Sequence, residues 1–318
     1  MVRATTPHLS VIVPLYNEAT VLQQFHNSLV AVLEQLTRDY EIIYCDDGST
    51  DTSADLVQTL HAKDANVHLL AFSRNFGKEI AVSAGIAQAR GDMIVTVDAD
   101  GQHPVELIPE FVKQWQTGSK VVIGVRTANQ KEGFIKRYGS KLFYGLFSRF
   151  TGIKLLAGST DFRLIDRSVQ QEFMRMTERN RITRGLIDWL GYERTYVQFR
   201  ANPRLAGEVG YSFRKLLKLA IDSAISLSLS PLYITAYIGA VVLPVSALLG
   251  LFMLINVIFG DPLHLHATGG AYLMVLVLFL VGILLVSQGI IGLYLSHIHT
   301  ETQNRPLYIV DKEKSVGI

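Results

Sequence analysis

Cysteine is almost absent from this chain of 318 residues: Cys45 is the only one. A single cysteine cannot form an intrachain disulfide, which excludes a disulfide-stabilised scaffold and fits a reducing compartment. Because it ends the apolar run at residues 41–45, we predict a small core residue and not a reactive thiol. Residues 1–10 also lack an apolar run, so we expect no signal peptide and a soluble part that stays in the cytosol.

Basic residues are missing from a long C-terminal stretch, since no lysine or arginine occurs between Lys218 and Arg305. Within it, residues 231–259 and 270–297 are uncharged and mostly apolar, and each exceeds the roughly 20 residues that cross a bilayer. We therefore expect two transmembrane helices, with buried helices of a soluble protein as the alternative. The connection at 260–269 has no basic residue while both outer flanks have several, which predicts cytoplasmic ends by the positive-inside rule.

The segment before the first apolar stretch, residues 211–230, combines Arg214, Lys215 and Lys218 with many apolar side chains. This pattern is typical of an amphipathic helix at the bilayer interface. The predicted organisation is a cytoplasmic domain at 1–210, an interfacial helix at 211–230, two membrane helices at 231–300 and a cytoplasmic tail at 301–318.

The first 125 or so residues alternate short β-rich runs with helical patterns. Strands are predicted at residues 9–15, 41–45, 67–72, 93–98 and 119–125, and helices at 20–36, 52–64, 79–89 and 105–117. This order predicts an α/β fold with a mostly parallel sheet and helices on both faces. Ligands of such sheets bind at the carboxyl ends of the strands, so those residues are the ones to read for chemistry.

Four strand ends are followed by polar clusters, at residues 14–18, 46–51, 73–78 and 98–104. Each cluster alone is explained equally well by a turn or a helix cap. Four on successive strands favour a nucleotide site. In the last cluster, Asp98 and Asp100 place two carboxylates at the sheet edge, where a divalent cation can bind a diphosphate.

The polar clusters extend into five motifs: VPLYNE at 13–18, DDGSTD at 46–51, SRNFGK at 73–78, DADGQ at 98–102 and TDFRL at 160–164. In this combination the sequence resembles the family-two, GT-A-fold glycosyltransferases. Within them it resembles the polyisoprenyl-phosphate glycosyltransferases, which include bactoprenol glucosyltransferases and dolichol-phosphate mannose synthases. The resemblance covers nearly the whole chain and implies a GT-A catalytic domain followed by an interfacial helix and two transmembrane helices.

The resemblance implies a donor site for a nucleotide sugar. Its residues would be Pro14, Tyr16, Glu18, Asp46, Asp47, Ser73, Asn75, Lys78 and Asp98. Of these, the first four would line the base and ribose pocket, where carboxylates accept hydrogen bonds from a uracil N–H or a ribose hydroxyl. Asp98, Asp100 and the amide oxygen of Gln102 would face Mg²⁺ or Mn²⁺.

The resemblance also implies that the acceptor is a lipid phosphate. The cations and the hydroxyl predicted to bind it are Arg126, Lys136, Arg137, Ser140, Arg163, Arg200 and Arg204. Arginine and lysine bind phosphate by charge-assisted hydrogen bonds. Any one of these cations is explained equally well as a solvated surface charge. Lysine at position 136, where relatives can carry arginine, weakens that assignment because the two cations differ in geometry.

Asp161 completes the predicted catalytic set with Asp98 and Asp100. A carboxylate near the anomeric carbon could act as a general base. A phosphomonoester has a second pKa of about 6 and is already largely dianionic, so we predict that Asp161 orients the acceptor or sugar. A partner of Arg163 or a helix cap is the structural alternative.

The predicted function is transfer of a hexose, with glucose from UDP-glucose favoured, to polyprenyl (undecaprenyl) phosphate for cell-envelope glycan modification. Mannose, N-acetylhexosamine or aminoarabinose are alternatives. A processive polysaccharide synthase is a further alternative. Such enzymes typically carry a Gln-x-x-Arg-Trp motif, which this sequence lacks; residues 184–189 are only loosely similar to it. A non-enzymatic nucleotide-binding regulator is the third alternative. Membrane lipids and further copies of the chain are expected partners, and nucleic acid is not an expected partner. The small residues Gly282, Gly289 and Gly292 suit packing between membrane helices of different copies.

Overall fold

The computed structural model describes residues 9–127 except 38, residues 158–200 except 180, residues 269–318, and isolated positions between 248 and 259. The chain divides into two compact units. One comprises Met1–Tyr211 with Arg305–Ile318 and the other comprises Ser212–Asn304, and each is described by itself.

The larger unit alternates strands and helices. In chain order it contains β1 (Leu9–Leu15), α1 (Ala19–Leu36), β2 (Tyr40–Asp46), α2 (Ser53–Lys63), β3 (Val67–Ala71), α3 (Lys78–Gln88), β4 (Met93–Thr96), a 3₁₀ turn (Val105–Leu107), α4 (Ile108–Gln116), β5 (Val121–Arg126), β6 (Ser159–Asp166), α5 (Arg167–Met174), α6 (Thr183–Trp189) and β7 (Arg194–Phe199). The elements predicted up to residue 125 are confirmed, with bounds that differ by at most three residues. The prediction had assigned none of the elements from β6 to β7.

The strands form one seven-stranded sheet in the order β3-β2-β1-β4-β6-β5-β7. Strands β1 to β4 pair in parallel, β5 pairs in parallel with β7, and β6 runs antiparallel to both of its neighbours. The mostly parallel sheet is therefore confirmed. Because Thr96 at the end of β4 pairs with Arg163, the first residues of β6 lie at the edge where the parallel strands end. The reversed direction of β6 is what brings Asp161 to that edge.

Apolar residues of the strands point alternately to two faces and form two cores. Helices α1, α2 and α4 cover one face and α3, α5 and α6 cover the other. A buried valine, leucine or isoleucine contributes about 1.5–3 kcal/mol, so both cores stabilise the sheet strongly. Cys45 is fully buried in the second core, as predicted. Gly85 lets α3 lie close to the sheet there, because a Cβ at this position would be 2.3 Å from Cγ2 of Ile12.

The C-terminal tail, Arg305–Ile318, packs on the outer edge of the sheet. The N–H of Leu69 donates to the carbonyl of Val316 at 2.9 Å, and the reverse bond measures 3.1 Å. The ring of Tyr308 stacks on Phe72 with centroids 4.9 Å apart. The tail thus pairs with backbone groups of β3 that would otherwise form an open edge.

The second unit contains one long helix of which the bounds are described, α7 (Gly269–Thr302, 34 residues). Residues 270–297, expected to be membrane-spanning, fall within this helix. Among the residues that the structure describes, no helix meets the length and apolarity required to cross a membrane, and the two expected membrane helices are not confirmed. The predicted interfacial helix at 211–230 lies outside the described residues, as does 231–259 apart from isolated positions.

Candidate active site

Two clefts open at the edge where β1, β2 and β4 end and β6 begins. The first has a volume of about 280 Å³, and its lining includes Pro14, Tyr16, Glu18, Asp47, Lys78, Asp98 and Asp100. The second has a volume of about 210 Å³, and its lining includes Asp98, Gln102, His103, Arg126, Asp161 and Arg184. Asp98 lines both, so the clefts meet at its side chain. Below, the first is called the donor-side cleft and the second the acceptor-side cleft.

The loop after β1 is tied to the loop after β2. Asn17 adopts a φ of 57°, a left-handed conformation that asparagine tolerates better than most residues. Its side-chain oxygen accepts from the N–H of Thr50 at 2.8 Å, and its own N–H donates to Ser49 Oγ at 3.0 Å. These bonds hold the neighbouring side chains of Tyr16 and Glu18 in the lining of the donor-side cleft.

The two acids at the end of β2 are buried and have partners within the protein. Asp46 accepts from the N–H of Ser49 at 3.2 Å, and burial raises the pKa of its carboxyl despite that bond. Asp47 accepts from the N–H groups of Phe76 and Gly77 at 2.7 and 2.9 Å. Burial likewise raises the pKa of Asp47, against these bonds. Asp47 therefore fixes the loop that precedes α3 and also lines the donor-side cleft, whereas Asp46 lines neither cleft.

The third motif contributes one side chain to the clefts. Ser73 and Asn75 are exposed on the loop after β3 and line neither cleft. Lys78 begins α3, and its Nζ lies 2.7 Å from the Asp98 carboxylate and 3.3 Å from that of Asp161. Burial alone would lower the pKa of Lys78, but the two carboxylates outweigh it and the pKa lies above its ordinary value. Lys78 is therefore protonated and positively charged between the two carboxylates.

The loop after β4 presents the acid pair. Asp100 accepts from the N–H of Gln102 at 3.0 Å, and the N–H of Asp98 donates to Nδ1 of His103 at 3.3 Å. The His103 ring stacks on Phe162 with centroids 5.3 Å apart. Burial lowers the pKa of His103 although Asp98 opposes it, which favours the neutral ring that can accept this bond. Sequence reasoning missed His103, although it directly follows the DADGQ motif.

Asp98, Asp100 and Gln102 are the residues that could hold a divalent cation. Both carboxylates line the donor-side cleft, and Gln102 lines the acceptor-side cleft. Oxygen ligands suit Mg²⁺, which nucleotide enzymes commonly bind through one or two carboxylates plus substrate phosphates. The donor set therefore fits such an ion. Across the described ranges, no group of three or more His, Cys, Asp or Glu side chains is arranged to hold a metal ion.

Asp161 lies among cations on β6. Burial would raise the pKa of its carboxyl, but the charges of Lys78, Arg184 and Arg163 hold the pKa below its ordinary value. Arg163, two residues along the strand, is only 2% exposed, and its Nη1 lies 3.8 Å from the carboxylate of Asp188. The structure thus places Arg163 in the core, where it lines a small cavity with Asp161 but is not among the residues that line the acceptor-side cleft; its phosphate-binding role stays a prediction.

Glu79 adds a further acid behind the clefts that sequence reasoning missed. Its carboxylate accepts from the N–H of Thr183 at 2.8 Å and so links α3 to α6. Burial, reinforced by the charge of Asp161, raises the pKa of Glu79. No sequence signal marked it, because its position depends on how α6 packs.

The other predicted acceptor residues divide into two groups. Arg126 ends β5, is exposed and lines the acceptor-side cleft. Arg200 follows β7, is exposed and lines neither cleft. Lys136, Arg137, Ser140 and Arg204 lie outside the described residues.

Comparison with known proteins identifies the family. The model described as Glycosyl transferase family 2 matches residues 10–173. The chain belongs to glycosyl transferase family 2. It is therefore a glycosyltransferase, and its sheet agrees with the GT-A-like arrangement predicted from the sequence.

Several relatives of this glycosyltransferase match over almost the whole chain. A Bacillus subtilis (strain 168) protein named uncharacterized glycosyltransferase YkcC is 39% identical, with 97% of this chain and 94% of that protein covered. The prophage bactoprenol glucosyl transferase homolog of Escherichia coli (strain K12) is 34% identical over 96% of this chain and 99% of its own. The bactoprenol glucosyl transferase of Shigella phage SfV shares the same identity and coverage.

Solved structures resemble this glycosyltransferase more weakly. Glucosyl-3-phosphoglycerate synthase from Mycobacterium tuberculosis, in complex with Mn²⁺, UDP and glucosyl-3-phosphoglycerate, gives a TM-score of 0.47 at 16% identity, covering 70% of this chain and 78% of that one. Mannosyltransferase PcManGT from Pyrobaculum calidifontis gives 0.48 at 15% identity, covering 80% and 81%.

Proposed function

We propose that this glycosyltransferase moves a hexose, with glucose from UDP-glucose as the best candidate, onto the phosphate of polyprenyl (undecaprenyl) phosphate. The observation that carries the proposal is that two clefts of different chemistry meet at Asp98. The donor-side cleft is lined by acids and a lysine, whereas the acceptor-side cleft contains two arginines, Arg126 and Arg184, in addition to Asp98 and Asp161. Similarity to proteins named bactoprenol glucosyl transferase supports both the sugar and the lipid acceptor.

The proposed donor site uses the residues around the first cleft. Tyr16 and Glu18 would contact the nucleoside, and Asp98, Asp100 and Gln102 would hold Mg²⁺ or Mn²⁺. When bound, the cation supplies electrostatic stabilisation for the charge that develops on the departing nucleoside diphosphate. Asp46, Ser73 and Asn75 line neither cleft, so we assign them to the loops that support the site.

The proposed acceptor site uses the second cleft. Arg126 would bind the lipid phosphate, which carries close to two negative charges at neutral pH and needs no general base. Asp161, ionised beside Lys78, would orient the sugar or the acceptor. Attack from the side opposite the nucleotide inverts the anomeric centre, so an α-linked donor gives a β-linked lipid product.

We also propose that the protein is an integral membrane protein with its catalytic domain and both termini in the cytoplasm, and that copies of the chain associate through their membrane helices. The uncharged stretches at 231–259 and 270–297 and the basic residues on their outer flanks support this topology. Extraction of cell membranes with alkaline carbonate tests the anchoring, since an integral protein stays in the pellet. Cross-linking in the membrane, followed by mass determination, tests the association.

A transfer assay tests the proposed activity. Purified protein in detergent is given Mn²⁺, undecaprenyl phosphate and a panel of labelled nucleotide sugars that includes UDP-glucose, UDP-N-acetylglucosamine and GDP-mannose. We expect a lipid product carrying one sugar, formed fastest from UDP-glucose and abolished by EDTA. A growing polymer would indicate a polysaccharide synthase, and nucleotide binding without any transfer would indicate a regulator.

A further inference from the structure

Arg184 occupies a position between the acceptor-side cleft and the interior. It is the second residue of α6, and its side chain lines the cleft together with Arg126 and Asp161. The same side chain lines a small cavity of about 10 Å³ behind the cleft, beside Glu79 and Thr183. A cavity of this size holds about one water molecule. The guanidinium therefore lies at the inner wall of the acceptor-side cleft.

Within the described residues, Arg184 and the neighbouring Arg163 both have buried nitrogens that lack a hydrogen-bond acceptor. In the part of the chain that the structure describes, Arg184 forms no hydrogen bond or ion pair, and its buried Nε has no acceptor. Arg163, which lines the same small cavity, differs because it has an ion pair with Asp188 and donates to the carbonyl of Thr160 at 3.1 Å. Two further arginines nearby also have acceptors. Arg181 donates to the carbonyl of Glu178 at 3.0 Å, and Arg167 donates to that of Ala89 at 2.7 Å. Since buried polar groups are normally hydrogen-bonded, the donors of Arg184 are available for a ligand.

The charges around the cleft indicate which ligand would use these donors. Asp98 and Asp161 both line the cleft, and Lys78 lies between their carboxylates. An anion entering this cleft meets two acids, so more than one free cation is needed to offset the repulsion. Arg126 and Arg184 are the two arginines of the lining. A planar guanidinium can bind two oxygens of one phosphate at once, which suits a phosphomonoester.

We propose that Arg184 binds the phosphate of the acceptor from the inner wall of the cleft, as a second cation beside Arg126. This inference rests on the proposed function. It adds a residue that sequence reasoning had considered only as a remnant of a polysaccharide-synthase motif. The same positive charge helps to keep Asp161 ionised, so Arg184 serves both the acceptor and the acid that orients it.

The experiment compares Arg184→Gln and Arg184→Lys with the wild-type full-length protein. The acceptor probe is farnesyl phosphate, titrated calorimetrically into protein in detergent, and the donor probe is UDP with Mn²⁺. Loss of a charge-assisted hydrogen bond should weaken farnesyl phosphate binding by about tenfold or more in Arg184→Gln. UDP affinity should stay within about twofold, as expected of a side chain outside the donor-side cleft. Arg184→Lys should lie in between, because lysine keeps the charge and loses the planar fork.

Arg175→Gln is the matched control, since Arg175 is exposed directly after α5, pairs with Glu172 and lines neither cleft. It should leave both affinities unchanged. Thermal unfolding checks that each variant is folded, and if Arg184→Gln is not, the Lys variant must still show the selective loss. Wild-type affinity for farnesyl phosphate in Arg184→Gln would overturn the inference, and so would an equal loss of UDP affinity. A wild-type protein that binds UDP but not farnesyl phosphate would instead refute the proposed function.

Discussion

The two clefts at the sheet edge differ in how their polar groups are used. Around the donor-side cleft, Asn17 and Asp47 accept hydrogen bonds from backbone N–H groups and hold the loops that form it. Around the acceptor-side cleft, the side chains of Arg126 and Arg184 have no hydrogen bond or ion pair within the described residues. Removing a group that holds its own loop costs folding stability, whereas removing an unpaired cation costs ligand binding. The comparison thus separates two kinds of site residue.

The largest expected effect is at the proposed metal site, where Asp100 lies beside Asp98 in the lining of the donor-side cleft. Asp100→Asn removes a charge from the proposed metal site and should lower kcat by about 10²–10³-fold, the equivalent of a few kcal/mol. Glu106→Gln, which changes an exposed acid on the 3₁₀ turn, is the control. Steady-state transfer assays measure the effect. Undiminished turnover in Asp100→Asn would remove this acid from the proposed metal site.

The donor-side prediction concerns Asp47. Asp47→Ala leaves the N–H groups of Phe76 and Gly77 without their acceptor in a partly buried loop, and should lower the free energy of unfolding by about 2–3 kcal/mol. Affinity for UDP should fall as well, because the loop leads to Lys78. Urea unfolding of this variant is compared with that of Asp55→Ala, an exposed acid on α2. Equal free energies of unfolding for the two variants would contradict the claim that Asp47 stabilises the loop at the donor-side cleft.

The acceptor-side counterpart is Arg126. Arg126→Gln should raise KM for the lipid acceptor by about tenfold and leave the unfolding temperature unchanged, because no described residue depends on its side chain. Initial rates at varied acceptor and donor concentrations separate the two KM values. A clear drop in unfolding temperature would show that this arginine supports the fold, contrary to the comparison.

The smallest expected effect is a pH dependence of stability in the scaffold. Burial lowers the pKa of His26 and of His68 below the ordinary value of 6.5, so the folded state favours their neutral rings. Since the unfolded chain binds protons first as pH falls through 6.5, stability should be greatest above that pH and decrease below it. Thermal unfolding at pH 7.5 and 5.5 should show a decrease on the order of a few degrees. The double variant His26→Gln/His68→Gln should reduce this difference, and an unchanged difference would assign it to other groups.

Sequence patterns predicted the parallel half of the sheet well, because apolar runs and helical periodicity alternate clearly from residue 9 to residue 125. They missed β6, whose start at Ser159–Asp161 is polar and whose antiparallel direction follows only from tertiary pairing. The antiparallel direction of β6 determines where each residue of the TDFRL motif lies. Asp161 reaches the sheet edge, whereas Arg163 lies two residues further into the core on the same face.

The candidate site was predictable to a similar extent. Asp98 and Asp100 follow a buried strand, and they were predicted because ligands of parallel sheets bind at the carboxyl ends of the strands. Glu79 and Arg184 were not, because their place beside Asp161 depends on how α3 and α6 pack against β6. Local sequence carries no signal for a contact between residues about a hundred positions apart.

The central claim is that donor and acceptor occupy separate clefts at the same time and meet at Asp98. Initial-rate kinetics with UDP-glucose and undecaprenyl phosphate, each varied at several fixed concentrations of the other, test it most directly. Two substrates bound together predict double-reciprocal lines that intersect. Parallel lines, as expected when the first product leaves before the second substrate binds, would contradict the account.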